Sequence, residues 1–82
     1  MDTRINAGYE IVESVRLDDS HEYVIGVHPT APARYVCWEC INGDNYHTGK
    51  YCFSYRQALH AMAERILHHY HSIANDFPGK EA

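Results

Sequence analysis

The fold is decided by the stretch from Arg34 to Phe53, which reads RYVCWECINGDNYHTGKYCF. Its middle, Asn42 to Asn45, is typical of a hairpin turn, because Asn and Gly adopt positive φ angles at low cost. In the first half, residues 34–41, apolar side chains occur at both odd and even positions, so both faces of the strand are partly apolar, as expected of a central strand. We therefore predict two antiparallel strands, Arg34–Ile41 and Tyr46–Phe53.

A glycine interrupts the aromatic residues of the second predicted strand, at Gly49. Glycine inside a strand usually marks a bulge or a close approach by another group. We predict that Gly49 makes room for a bulky neighbour such as Trp38.

The residues N-terminal to this hairpin predict a second pair of strands. These lie at Tyr9–Leu17 and Glu22–His28, and the polar residues Asp18 to His21 between them suit a turn. Val12 and Glu13 interrupt the alternation of apolar and polar residues, which is compatible with a bulge. Short connections imply antiparallel neighbours, so the four strands form a meander.

Beyond the hairpin the apolar period changes to that of an amphipathic helix. Ser54 and Gln57 fit the two ends of a capping box, and Pro78-Gly79 ends the helix. The apolar stripe of this helix consists of Tyr55, Leu59, Met62, Ile66, Tyr70, Ile73 and Phe77.

The predicted fold is therefore α+β: a four-stranded antiparallel meander sheet followed by one long C-terminal helix packed on one face (β-β-β-β-α). We expect a single domain over residues 1–82, with an ordered core at about 8–77 and loose segments at 1–7 and 78–82. The centre of the core is predicted at Trp38, Tyr51, Phe53, Leu59, Met62 and Ile66.

Length and composition limit the setting. No apolar run approaches the ~18–20 residues of a membrane span, and the N-terminus lacks the apolar region of a secretory signal. We therefore expect a cytoplasmic protein without membrane contact, in which the three cysteines are reduced.

The sheet face away from the helix has no cover in the sequence and is predicted to carry aromatic side chains. An uncovered aromatic face is typical of a binding surface, so we expect a protein partner there, with a second copy of the chain among the candidates. The predicted contacts are Tyr35 and Tyr46, with Arg34 and Lys50 as charges at the rim. This assignment depends on strand register, because a slip of one residue exchanges the two faces.

Four residues of the hairpin have the side chains of a tetrahedral zinc site: Cys37, Cys40, His47 and Cys52. An offset of three residues in a strand sends Cys37 and Cys40 to opposite faces, and an offset of five does the same to His47 and Cys52. We therefore expect free, buried cysteines and no metal site here.

Three residues of the helix, His60, Glu64 and His68, share one face at a spacing of four. Neighbouring members of this set could chelate a divalent ion. The spacing is not that of a His-Glu-x-x-His metalloprotease motif, so we predict a solvated polar face.

Catalytic and nucleic-acid-binding signals are weak. The chain has no Gly-x-Ser-x-Gly elbow and no glycine-rich phosphate loop, so we predict no enzymatic activity and no cofactor. Seven Lys and Arg against eleven Asp and Glu give a net charge of −4, which disfavours a phosphate-binding surface. The alternative is a base-stacking platform on the sheet. Its aromatic residues would be Tyr35, Trp38, Tyr46 and Tyr51.

Part of the chain, about residues 22–67, carries a recognisable aromatic pattern. Its residues are Tyr35-Val36-Cys37-Trp38-Glu39-Cys40, Asn42-Gly43-Asp44, Tyr46, Gly49, Tyr51, Phe53 and Ala58. This pattern resembles small proteins of Firmicutes phages and mobile elements, which read Tyr-Val-x-Trp and then Tyr-x-x-Gly-x-Tyr-x-Phe ahead of a helix. That group has no settled activity, so the resemblance implies a setting and no catalytic residues.

Together these observations predict a small non-enzymatic module that binds and regulates a protein, for example as an inhibitor of a host defence nuclease. An acidic chain is compatible with docking onto the basic channel of such an enzyme. The alternatives are a nucleic-acid-binding or transcription-accessory domain that uses the sheet surface, and a zinc-stapled module.

Overall fold

The computed structural model describes residues 4–74. It contains five strands and one helix: β1 (Ile5–Asn6), β2 (Tyr9–Arg16), β3 (His21–Val27), β4 (Tyr35–Ile41), β5 (Asn45–Cys52) and α1 (Tyr55–Ala74). The predicted tail 78–82 and the predicted stripe residue Phe77 lie outside the described residues, as do the side chains of Tyr70 and Ile73. None of the described helices is long and apolar enough to cross a membrane.

The sheet is an antiparallel meander in the order β1-β2-β3-β4-β5. This confirms the predicted α+β class and topology, but the sheet has five strands where four are predicted. The additional strand β1 pairs with Tyr9 and Glu10 of β2 across a turn at Ala7 and Gly8, whose φ angles are 53° and 84°. Two residues are too few to show an alternating pattern, which explains why β1 is missed.

The hairpin turn between β4 and β5 is confirmed. Asn42 and Gly43 adopt φ angles of 57° and 84°, the left-handed conformation that the turn requires. The turn between β2 and β3 is held by the carboxylate of Asp18, which accepts hydrogen bonds from the backbone N–H groups of Ser20 and His21, both at 2.8 Å. The hydrogen bond from the Ser20 amide is the main reason that the pKa of Asp18 falls to about 2, and the His21 ring adds to it.

Two bulges interrupt the sheet. The first lies between Ile11 and Glu13 of β2, as predicted. The second was not predicted: Thr48 and Gly49 of β5 together oppose the single residue Trp38 of β4, and Thr48 has a φ angle of 54°. An extra residue in one strand reverses the parity of every side chain beyond it.

The helix begins where the capping signal predicts. The Ser54 hydroxyl accepts a hydrogen bond from the backbone N–H of Gln57 at 3.1 Å. The Gln57 side-chain oxygen accepts one from the backbone N–H of Phe53 at 2.8 Å, one residue earlier than in the standard capping box.

The core consists of two clusters, one on each face of the sheet. The helix-side cluster contains Tyr23, Ile25, Cys37, Cys52, Ala58, Ala61 and Met62. The opposite cluster contains Tyr9, Val24, Val36, Trp38 and Cys40. The helix therefore lies against one face of the sheet, as predicted.

The predicted core centre is only partly correct. Trp38 and Met62 are buried, and Ile66 packs against the helix-side cluster. Tyr51 is half-exposed because it lies on the edge strand, and Phe53 is 72% exposed, since it follows the end of β5 and no longer obeys strand alternation. Leu59 is 41% exposed because the helix turns Ala58 and Ala61 to the sheet instead, and these small residues allow a close approach.

The sheet curls strongly, and this covers the face that was predicted to be open. The rings of Tyr9 on β2 and Tyr51 on β5 lie 5.9 Å apart, although two strands separate them. Strands in a flat sheet lie about 4.8 Å apart, so β2 and β5 would then be separated by about 14 Å. The two tyrosines close over Trp38, which is 5% exposed.

Candidate functional site

The predicted partner residues do not share a face. Tyr35 lies on the helix side, with its ring 5.9 Å from that of Tyr55, and it pairs across the sheet with Cys52. Tyr46 lies on the opposite side, with its ring 5.4 Å from that of Trp38. The predicted common surface of Tyr35 and Tyr46 is therefore wrong. The register next to the turn is the physical cause: Tyr46 pairs with Cys40, and Cys40 is five residues from Tyr35 on β4, so the two positions face opposite sides.

The two rim charges also separate. Arg34 is exposed in the loop before β4, where its Nε donates a hydrogen bond to the carbonyl of Ala31 at 3.2 Å. Lys50 pairs with Cys37, a residue of the helix-side cluster, so its side chain projects on the helix side.

The stacking platform is not assembled either. Tyr35 lies on the other side of the sheet from Trp38, Tyr46 and Tyr51, and Trp38 is almost fully enclosed. Tyr51 is 49% exposed, and the remaining aromatic surface is the rim of a filled cluster rather than an open row of rings.

The cysteines are buried and unpaired with one another in disulfides. Cys37 and Cys40 point to opposite faces, which confirms the prediction from their spacing. The prediction for His47 and Cys52 is wrong, because the bulge brings both to the helix side, where they pair with Glu39 and Tyr35. Within the described residues, no group of three or more metal-ligating side chains comes together. Burial raises the pKa of each of the three thiols.

The polar helix face predicted at His60 and Glu64 is present. His60 Nδ1 lies 3.7 Å from Glu64 Oε1, and both side chains are largely exposed. His68 is exposed one turn further along the helix, where it borders a shallow cavity of about 250 Å³ beside Tyr23 and Arg65.

A larger groove lies between the outer edge of β5 and the first half of α1, and we call it the β5–α1 groove. Its volume is about 490 Å³, which is within the range of roughly 300–1,000 Å³ that is typical of ligand sites. The strand side is formed by Lys50, Cys52 and Phe53, and the helix side by Arg56, His60 and Ala61.

Local structure explains why this groove exists. Only Phe53 and Ser54 separate β5 from α1, so the helix begins beside the end of the edge strand and runs back across the sheet. Ala61 and Cys52 are buried at the bottom of the groove, and their small side chains do not fill the space between the two elements. Phe53 stands at the mouth of the groove with most of its ring in solvent.

The groove concentrates positive charge in an acidic chain. Lys50 and Arg56 both line it, and neither forms an ion pair within the described part of the chain. The carboxylate of Glu64, at the far end, lies beside His60. An anionic group entering near Phe53 would therefore meet two cations that are not already held in an ion pair.

The strand edge beside the groove is also open. β5 is the last strand of the sheet, and six of its eight residues are exposed. No strand among the described residues pairs with its outer edge, so the backbone N–H and C=O groups there are free to bind another chain.

Phe53 and Arg56 are groove residues that the sequence analysis did not identify as binding residues, since it placed Phe53 in the core. A signal was present at Phe53, which precedes the capping Ser54, because a large apolar residue there usually packs on the fourth residue of the helix. That residue is Ala58, which is buried against the sheet and too small to cover a phenyl ring.

Comparison with family models, with curated proteins and with solved structures finds no match to this chain.

Proposed function

We propose that the chain is a small non-enzymatic module that binds a protein partner through the β5–α1 groove. The observation that supports this most directly is Phe53, a large apolar side chain that is 72% exposed at the mouth of a groove beside an open strand edge. Aromatic residues of this kind, placed next to a pocket, supply most of the energy of protein interfaces. An exposed strand edge supplies main-chain hydrogen bonds to the same partner.

The state of the cysteines supports a non-enzymatic role. Catalytic cysteines act as thiolates at exposed, electropositive positions. Cys37, Cys40 and Cys52 are buried, and their pKa values are raised by that burial, so the thiols stay protonated.

The resemblance to proteins of phages and mobile elements supplies the proposed setting. In that setting the partner would be a protein of the host or of the element, such as a defence nuclease that the module inhibits in the cytoplasm.

The test is photo-crosslinking in cells of the source organism. A photoreactive amino acid replaces His60, an exposed residue that borders the groove, in the full chain. We expect this chain to form a crosslink to a protein. The crosslink should be lost when Phe53→Ser is added and retained when Leu67→Ser is added. Leu67 is a matched control because it is 55% exposed and lies outside the groove.

Two results would contradict the proposal. One is the absence of any crosslinked protein whose formation depends on Phe53. The other is a crosslinked nucleic acid in place of a protein, which would favour the nucleic-acid-binding alternative, since Lys50 and Arg56 beside Tyr51 would also suit phosphates and bases.

A further inference from the structure

We infer that the β5–α1 groove binds an extended, acidic segment of the partner protein, added as a sixth strand beside β5. This inference rests on the proposed function and specifies its partner by chemistry. It follows from three features of the same surface: its charge, the direction of its side chains, and the like charges that would meet if two copies paired through it.

Charge is the first feature. The chain as a whole is acidic, yet the groove holds two cations, Lys50 and Arg56, against the single carboxylate of Glu64, and neither cation has an ion-pair partner among residues 4–69. A carboxylate docked here gains attraction and breaks no existing ion pair. A basic segment would meet two like charges at close range, which disfavours it.

The direction of the side chains is the second feature. Lys50 and Cys52 point into the groove, because their cross-strand partners Cys37 and Tyr35 lie on the helix side. Side chains of an added strand alternate in the same way, so every second one would enter the groove. One position would place an apolar group over Cys52 and Ala61 beside Phe53, and the position two residues away would place a carboxylate at Lys50 or Arg56.

The third feature disfavours a second copy as the occupant. Two copies that paired edge to edge about a twofold axis would bring the same patch against itself. Where the axis passes close to Lys50, the pairing that would place both copies over the groove, Lys50 and Arg56 of one copy approach the same cations of the other, which is unfavourable. The bulge at Thr48 and Gly49 and the charge of Lys50 are also features that protect an edge from self-pairing.

The experiment is a selection with the purified full chain against a displayed library of random short peptides. We expect the selected peptides to share at least one Asp or Glu two residues from a large apolar residue. Binding of the synthesised peptides, measured by fluorescence anisotropy, should weaken by at least about tenfold in the double variant Lys50→Glu with Arg56→Glu. It should also decline as salt is added.

A matched control carries the same change of net charge elsewhere. Arg16→Glu with Arg34→Glu reverses two exposed cations outside the groove. This variant should bind the peptides as the unaltered chain does, and circular dichroism should show both double variants folded.

Several results would overturn the inference. They are a selection that yields no binders, selected peptides without acidic residues, and equal weakening in both double variants. Sedimentation that shows a dimer broken by Phe53→Ser would assign the groove to a second copy instead. An oligonucleotide that binds the chain and is lost in the Lys50 and Arg56 variant would assign it to nucleic acid.

The same set of measurements separates this inference from the proposed function. If a protein still crosslinks in a Phe53-dependent manner while the selected peptides carry no acidic residues, the chain binds a protein as proposed, and the inference that the bound segment is acidic is wrong. If peptides of the expected kind bind but no protein crosslinks in cells, the groove chemistry stands and the proposed function falls.

Discussion

Gly49 shows how a single missing side chain sets the packing of one face of the sheet. A Cβ atom at this position would lie 2.7 Å from Nε1 and 3.1 Å from Cδ1 of Trp38, which confirms that the glycine makes room for the indole. Trp38 has little freedom to move away, because the rings of Tyr9, Tyr46 and Tyr51 pack around it. Gly49 is therefore required for the aromatic cluster to close.

The corresponding prediction is that Gly49→Ala destabilises the protein, although alanine would otherwise restrict the unfolded chain and stabilise a strand. Forcing an extra carbon into a packed cluster typically costs about 1–3 kcal/mol. Urea unfolding followed by circular dichroism measures this difference, and it applies equally to variants that lack Trp38, the single tryptophan of the chain. A free energy of unfolding equal to that of the unaltered chain would show that the indole adapts at no cost.

A double-variant cycle isolates the contact. Trp38→Phe removes the five-membered ring that carries Nε1 and Cδ1, the two atoms that approach most closely. Adding Gly49→Ala to Trp38→Phe should therefore cost less than adding it to the unaltered chain, since residues in contact deviate from additivity. Additive costs would place the strain in the backbone instead.

The helix α1 illustrates which features of an element follow from local sequence and which depend on its partners. Its start could be predicted, because Ser54 and Gln57 lie within a few residues of the atoms that they bond. Its rotation about its own axis could be predicted only in part, because Tyr55, Met62 and Ile66 of the predicted stripe pack toward the sheet and Leu59 does not. The largest apolar residues point to a stripe through Leu59, whereas the sheet accepts the side with the small residues Ala58 and Ala61.

Strand β5 shows the same division. Its place in a hairpin could be predicted from the turn at Asn42 and Gly43. The bulge could not be predicted, because it lies opposite Trp38 on the neighbouring strand, whose indole needs the space beside Gly49. That one extra residue turned Lys50 and Cys52 to the helix side, where they line the groove, and turned Tyr51 to the side of Trp38. The groove depends on how β5 and α1 pack, which no local pattern of the sequence contains.

The second prediction compares two residues of α1 that the sequence pattern treats alike. Met62 is 4% exposed and belongs to the helix-side cluster, whereas Leu59 is 41% exposed. Met62→Ala should lower the free energy of unfolding by about 2–5 kcal/mol, as for other large-to-small changes in a core. Leu59→Ala should change it by about 0.5 kcal/mol or less, as for other surface substitutions.

Chemical denaturation of the two variants measures both values. Equal losses would mean that Leu59 is also part of the packed face of the helix, and that α1 is rotated from the position described. A small loss for Met62→Ala would mean that the helix contributes little to the stability of the sheet.

The fold as a whole is closed at one end by an ion pair between distant parts of the chain. Arg4, just before β1, lies with Nη1 at 2.8 Å from Oε2 of Glu22 on β3, and the same Nη1 donates to the carbonyl of Gly43 in the β4–β5 turn at 3.2 Å. Glu22 is buried, at 7% exposure. One guanidinium group thus ties the N-terminal segment to the middle and to the far hairpin of the curled sheet.

This arrangement predicts a specific dependence on pH. The hydrogen bond from Arg4 is the largest influence on Glu22 and holds the pKa of its carboxyl below the usual value. A group whose pKa is lower in the folded than in the unfolded state stabilises the fold above the unfolded pKa, and this contribution is lost as the pH falls through the folded pKa. Arg4→Met should therefore destabilise the protein at neutral pH, by about 1–3 kcal/mol, because Glu22 is left buried without its partner.

The variant pair Arg4→Met and Arg4→Met with Glu22→Gln separates lost charge from lost packing. Without Arg4, the cost of burying the Glu22 carboxylate disappears when that carboxyl is protonated, so the deficit of Arg4→Met should shrink as the pH is lowered from neutral to acidic. The double variant has no charge to bury at this position, so it should recover part of the stability at neutral pH and show a weaker dependence on pH. Thermal melts across this range measure both effects.

A deficit that stays constant with pH, and that Glu22→Gln does not relieve, would mean that Arg4 acts through its hydrogen bond to Gly43 and the packing of its side chain. In that case closure of the curled sheet would depend on shape rather than on charge.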